Sequence, residues 1–194
     1  EDFLSHSIPI PGKVFCFQAN HRKLIVSSLH PDSYRKGLVN CYDLQTSQLT
    51  QKIRLFPSKK TDPAVRSFHF SNNIFVGGTQ RAAFVYDLRS CVRSCSYYEA
   101  KNIVTQVSMS GSLIAVGDFN NEINVYDLRS SLFPLHSFSY PTNEDVSVKA
   151  MRIDGPLLVS VHNSNTYQNN RHSRIMCWSV ETGECLSFLG RKEG

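Results

Sequence analysis

The sequence predicts an all-β fold made of four successive units of four short strands, and three observations carry that reading. The hexapeptide VYDLRS occurs twice, at 85–90 and 125–130, a spacing of 40 residues. Its flanks repeat with it, so each copy closes a longer pattern. The apolar residues fall in short β-branched and aromatic runs separated by Gly, Asn, Ser and Pro, and no 3.6-residue periodicity interrupts them.

Taken in order, the first unit contains KVFCFQ (13–18), KLIVSSL (23–29), a run ending CYD at Asp43, and LTQKIRL (49–55). The second has AVRSFHF (64–70), NIFVGGT (73–79), a run ending VYD at Asp87, and VRSCSYY (92–98). IVTQVSM (103–109), SLIAVGD (112–118), a run ending at Asp127 and LFPLHSFSY (132–140) form the third. The fourth has VSVKAMR (146–152), PLLVSVH (156–162), IMCWS ending at Ser179, and ECLSFLG (184–190). The unit boundaries are therefore 13–55, 64–98, 103–140 and 146–190. Four strands per ~40–45 residues is the period of a β-propeller blade. One blade cannot bury both of its faces alone, so blades stack about an axis.

These residues resemble the WD-repeat β-propellers over nearly the whole chain. The matching segments are the third-strand endings CYDLQT, VYDLRS, VYDLRS and CWSVETG, with the VGG and AVGD strands upstream. Tyr replaces Trp in three blades, and Ser179 stands where Asp is usual. No Gly-His dipeptide precedes a blade, so the resemblance implies an incomplete His–Asp hydrogen-bond network. The usual ring has seven blades. The four visible here, in a chain that starts at Glu1 rather than Met, lead to the expectation of a segment of a larger ring, because bare edge strands invite aggregation.

Strands that alternate in direction sort the loops onto two ends. Loops between second and third strands, and between blades, share one end. There the sequence places Arg35, Lys36, Lys59, Lys60, Arg81, Arg171 and Arg174, a basic set interrupted by Asp118 and Glu122 of the third blade. Two of these segments, HPDSYRKG (30–37) and HNSNTYQNNRHSR (162–174), are longer than a tight turn needs, and long loops on a rigid scaffold often bind. The turns after the third strands share the other end, including Asp87-Leu88-Arg89 and Asp127-Leu128-Arg129. In these turns Asp can accept backbone N–H bonds, and Arg can pair with an adjacent carboxylate. The windows ending at Arg89 and Arg129 also look like the Asp-x-Arg boxes of WD-repeat substrate receptors for cullin-RING ubiquitin ligases. That resemblance implies Arg89 and Arg129 as adaptor-docking side chains, presented by turns that Asp87 and Asp127 hold.

Composition narrows the function. Hydrophobic residues make up 41% and charged residues 19%, which is too little charge for a disordered chain. The net charge of +5 is compatible with acidic partners. No phosphate-binding loop, zinc-protease motif or nucleophile elbow occurs, the seven His are scattered, and Glu144-Asp145 are merely adjacent. We therefore expect no catalysis, cofactor, metal or small-molecule substrate. The longest apolar runs, about five residues, are too short to span a membrane as a helix. The six cysteines read as mostly buried thiols, and the absence of any Asn-x-Ser/Thr site fits a cytoplasmic or nuclear protein. The expected function is a protein-interaction scaffold, specifically a ubiquitin-ligase substrate receptor. The alternative is a nucleic-acid-associated propeller in RNA processing or ribosome assembly, with Tyr34 and Tyr167 as the stacking candidates in its basic loops.

Overall fold

Short alternating runs bounded by turn residues fold as successive antiparallel hairpins. A computed structural model of the chain describes residues 7–53, 64–80, 82–89, 97–130, 133–140, 146–164 and 173–189. Among these, sixteen strands form four sheets, each with its strands in chain order. Blade one is β1 (Val14–Ala19), β2 (Lys23–His30), β3 (Ser33–Asp43) and β4 (Leu49–Ile53). Blade two is β5 (Ser67–Ser71), β6 (Ile74–Gly78), β7 (Ala82–Asp87) and β8 (Tyr97–Glu99). Blade three is β9 (Val104–Ser110), β10 (Leu113–Asp118), β11 (Glu122–Asp127) and β12 (His136–Ser139). Blade four is β13 (Val146–Asp154), β14 (Leu157–Ser164), β15 (Ser173–Ser179) and β16 (Cys185–Leu189). The expected strands are all present, and β8 is shorter than the run that predicted it.

The chain divides into two units, Glu1–Arg66 and Ser67–Gly194. In the first, one face of blade one buries Ile25, Val39, Cys41 and Ile53, and Ser27 Oγ donates to the Val65 carbonyl at 2.6 Å. In the second, β5, β9 and β13 lie side by side. Serines stitch them together: Val107 N donates to Ser67 Oγ and Ile153 N to Ser108 Oγ, each at 3.1 Å. Alternation puts every second residue of the middle strands into the space between blades. Blades three and four thereby share a core of Ala115, Ile123, Val125, Leu158, Met176 and Trp178. In this unit the turns between first and second strands use a left-handed residue, supplied by Asn72 (φ 54°), Gly111 (φ 57°) and Gly155 (φ 54°).

Two expected loops are corrected. The hairpin 30–37 turns tightly at Pro31-Asp32, and β3 starts at Ser33, which puts Arg35 and Lys36 in a strand. Their side chains lie outside the described ones. The insert 162–174 is likewise shorter than expected, because β14 runs to Ser164 and β15 begins at Ser173. His162 and Arg174 face each other as a ladder pair, where backbone pairing and burial outweigh their polar character. Lys59, Lys60, Arg81 and Arg171 lie outside the described residues.

Candidate functional site

The two-ended sorting of loops holds in the second unit. At one end, Val104 N donates to Thr79 O, Phe119 N to Ile103 O, and Asn102 Nδ2 to Asn120 Oδ1, joining interblade connections to second–third turns. At the other, Leu88 N donates to Asn73 O, Leu128 N to Ser112 O, and Val180 N to Pro156 O, tying each third–fourth turn to its own first–second turn.

In each blade, one side-chain oxygen closes the turn after the third strand. Asp43 Oδ1 accepts Gln45 N at 2.8 Å and Thr46 N at 3.0 Å, and Ser179 Oγ accepts Thr182 N at 3.1 Å. Asp87 Oδ1 accepts Arg89 N at 2.8 Å, and Asp127 Oδ1 accepts Arg129 N at 2.9 Å. Ser179 therefore does the work of the missing Asp. Blades two and three add something the turn does not require. Arg89 donates Nε to Asp87 Oδ1 at 3.2 Å and Nη2 to Oδ2 at 2.9 Å. Arg129 makes the same fork on Asp127, at 3.1 and 2.8 Å.

Each fork uses two of the five guanidinium N–H groups. The carboxylates are mostly covered while the arginines are 70% and 77% exposed. The side-chain bond from Arg129, followed by its backbone N–H, holds the Asp127 carboxyl well below the usual carboxylate range. The side-chain bonds to Asp87 and Asp127 raise the guanidinium pKa values of Arg89 and Arg129 in turn. The site is thus two pre-oriented cations at equivalent turns of neighbouring blades. In the third–fourth loop that holds Arg129, Phe133 and Leu135 are exposed apolar neighbours. Exposed ion pairs add little stability, whereas a lost turn acceptor leaves a backbone donor without its partner. Arg129→Ala is therefore expected to leave the melting temperature unchanged, while Asp127→Ala lowers it by about 2–5 °C in a thermal melt.

A second constellation was not anticipated from the sequence. Trp178 Nε1 donates to Ser160 Oγ (2.9 Å), Ser160 Oγ–H to His162 Nε2 (2.7 Å), and His162 Nδ1–H to Asn121 Oδ1 (2.5 Å). Asn121 Nδ2 then donates to Tyr140 O at 2.7 Å. Because Asn121 spends its NH₂ on that carbonyl, its oxygen faces the ring, and the proton belongs on Nδ1. Every member is satisfied with a neutral imidazole. Burial drives the His162 pKa down to about 4. The relay ties the second–third turn of blade three to the middle strands of blade four. The implied incomplete network is thus replaced here by another, without a Gly-His dipeptide. The signal was the alternation LLVSVH, which puts Leu158, Ser160 and His162 on one face opposite Trp178.

The expected basic rim changes at Arg174, which is buried at 8% exposure with its guanidinium 4.8 Å from the Tyr140 ring centroid, itself stacked on Phe188. Asp118 is also buried; its carboxylate takes the N–H groups of Asn120 and Glu122 and builds the turn, and Glu122 pairs with Lys101.

Four-stranded antiparallel blades, first strands side by side and turns sorted to two ends define a WD-repeat β-propeller fold. Three solved structures show the likeness directly. A chain of the mitotic checkpoint complex matches 93% of this chain and 52% of its own length, at TM-score 0.70 and 18% identity. The computationally designed Ika4 protein matches 91% of this chain and 99% of its own (TM-score 0.64, 14% identity), and Ika8 91% and 61% (TM-score 0.61, 14% identity). The chain thus spans about half the length of the checkpoint-complex chain. No family model and no curated protein matches the sequence.

Proposed function

We propose that the protein is a non-catalytic interaction scaffold whose partner docks on the end bearing Arg89 and Arg129, and that it serves as a substrate receptor of a cullin-RING ubiquitin ligase. One observation carries this reading. Two neighbouring blades present the same carboxylate-locked, exposed guanidinium where blades one and four have Gln45 and Glu181. The turn needs only the Asp or Ser, so the arginines are spare for a partner. A cation in the same loop as exposed Phe133 and Leu135 has the composition of an interface anchor. The checkpoint-complex chain belongs to a multi-protein assembly, and an assembly role for this chain agrees with that. The deciding experiment is affinity capture with Arg89→Glu/Arg129→Glu beside the wild type. The double variant is expected to recover at least about tenfold less ligase adaptor; undiminished capture removes the reading. A nucleic-acid role loses Arg174 from its basic face, and RNA retention that falls steeply with salt would restore it.

We also propose that these four blades form a segment of a larger ring, supported by the half-length match to the checkpoint-complex chain and by the exposure of Ile175 and Leu189 on blade four. An immunoblot of the native source tests it: a product of 194 residues overturns it.

A further inference from the structure

One position can be followed from blade to blade. Ile74, Leu113 and Leu157 pair with Asp87, Asp127 and Ser179, and four residues on stand Gly78, Gly117 and Val161. All three lie on the face a blade turns toward its successor, since Ser160, His162 and Trp178 bond back toward blade three and their neighbours point away. A Cβ on Gly78 would lie 2.4 Å from Val104 Cγ1, and one on Gly117 2.9 Å from Val148 Cγ1. Real Cβ atoms do not approach that closely, and valine, stiff at χ1, cannot swing aside. Each existing seam in this unit therefore seats a valine of the arriving first strand over a glycine.

Blade four breaks the rule. Its positions equivalent to buried Ile123 and Phe138 are Ile175 and Leu189, which are 40% and 67% exposed. The face has the apolar character of a seam, with a valine where the hole should be.

We propose that this face is a seam for one further β-blade and that its size complementarity is reversed. Val161 is the knob, and the arriving first strand supplies Gly, Ala or Ser where blades three and four present Val104 and Val148. The inference rests on the larger-ring reading. Continuity with the two seams before it argues for a blade as occupant. A second copy of this chain fits poorly, because its first blade presents Val14 at the equivalent register, opposite Ser28 as Val148 is opposite His162.

The test appends a duplicate of residues 146–189 to the full chain and reads thiol labelling of Cys177, which shares the face with Val159 and Val161. Cys16, Cys91, Cys95 and Cys185 of the chain, and both cysteines of the duplicate, are replaced by Ser. A duplicate carrying Val148→Gly is expected to slow Cys177 labelling at least tenfold, and an unaltered duplicate to leave it at the rate of the chain alone. Val161→Gly in the chain, or Val161→Ala if the glycine variant loses the buried emission of Trp178, reverses that order. Equal protection by both duplicates, or protection by neither, overturns the proposal. The larger-ring reading is judged separately by the mass of the native polypeptide, so either can fail without the other.

Discussion

Replacing His162 with alanine is expected to lower the unfolding free energy by about 3–5 kcal/mol, measured by chemical denaturation. The imidazole is fully buried and bonded at both nitrogens, so its removal opens a cavity and strands two partners. Ser160, fully buried, loses its acceptor, and Asn121, mostly buried, loses its donor. Trp178→Phe is the comparison variant: it removes the indole N–H that Ser160 accepts together with part of the ring's buried volume, and should cost about 2–3 kcal/mol. A loss below about 1 kcal/mol for His162→Ala would mean that the relay does not hold blades three and four together.

The same residue sets a pH dependence whose sign follows from its depressed pKa. Well above 6.5, the ordinary histidine value, the imidazole is neutral in both states and stability does not respond. Between 6.5 and about 4 the unfolded chain takes a proton that the folded chain refuses, so stability falls as pH falls. Between pH 7.5 and 5 this one group removes about 2 kcal/mol. His69, lowered by burial and then by Arg152, acts in the same direction. Asp118, raised chiefly by burial, acts in the opposite direction. Denaturation midpoints across this window should slope in the wild type and slope less steeply in a His162→Ala chain, where His69 alone keeps the same sign.

Sequence patterning was enough for the strands because each is short, β-branched and punctuated by turn residues, so local propensity and tertiary need agree. It was enough for the Asp turns too, since an Asx acceptor acts within three residues. It was not enough for His162 and Arg174. Both sit in a polar stretch that reads as loop, and only the pairing of β14 with β15 and the cover of Tyr140 and Phe188 bring them inside. The relay needs Asn121 from one blade and Ser160 from the next, 39 residues apart, a proximity that no local rule supplies. The forked arginines lie between these cases: their place was readable, but the bidentate lock on Asp87 and Asp127 depends on rotamers that only the folded turn fixes.

The seam between blades two and three offers the other large effect. Gly78→Val puts a Cβ 2.4 Å from Val104 Cγ1 and 3.1 Å from Val104 Cβ, with Val107 Cγ1 at 3.2 Å. Relief requires the blades to part, because Val104 is fully buried and has no rotamer to escape into. Overpacking of this kind costs about 2–3 kcal/mol, even though valine suits a strand better than glycine does. Val104→Gly alone leaves a void and costs a similar amount. The two together exchange knob and hole across the seam, and their combined loss should fall short of the sum by about 2 kcal/mol in a double-mutant cycle. Additive losses would mean that the seam depends on the backbone geometry of each strand rather than on paired volumes. Coupled losses would show that side-chain volume alone decides which residue stands on which blade, the condition under which Val161 can serve as a knob at the fourth.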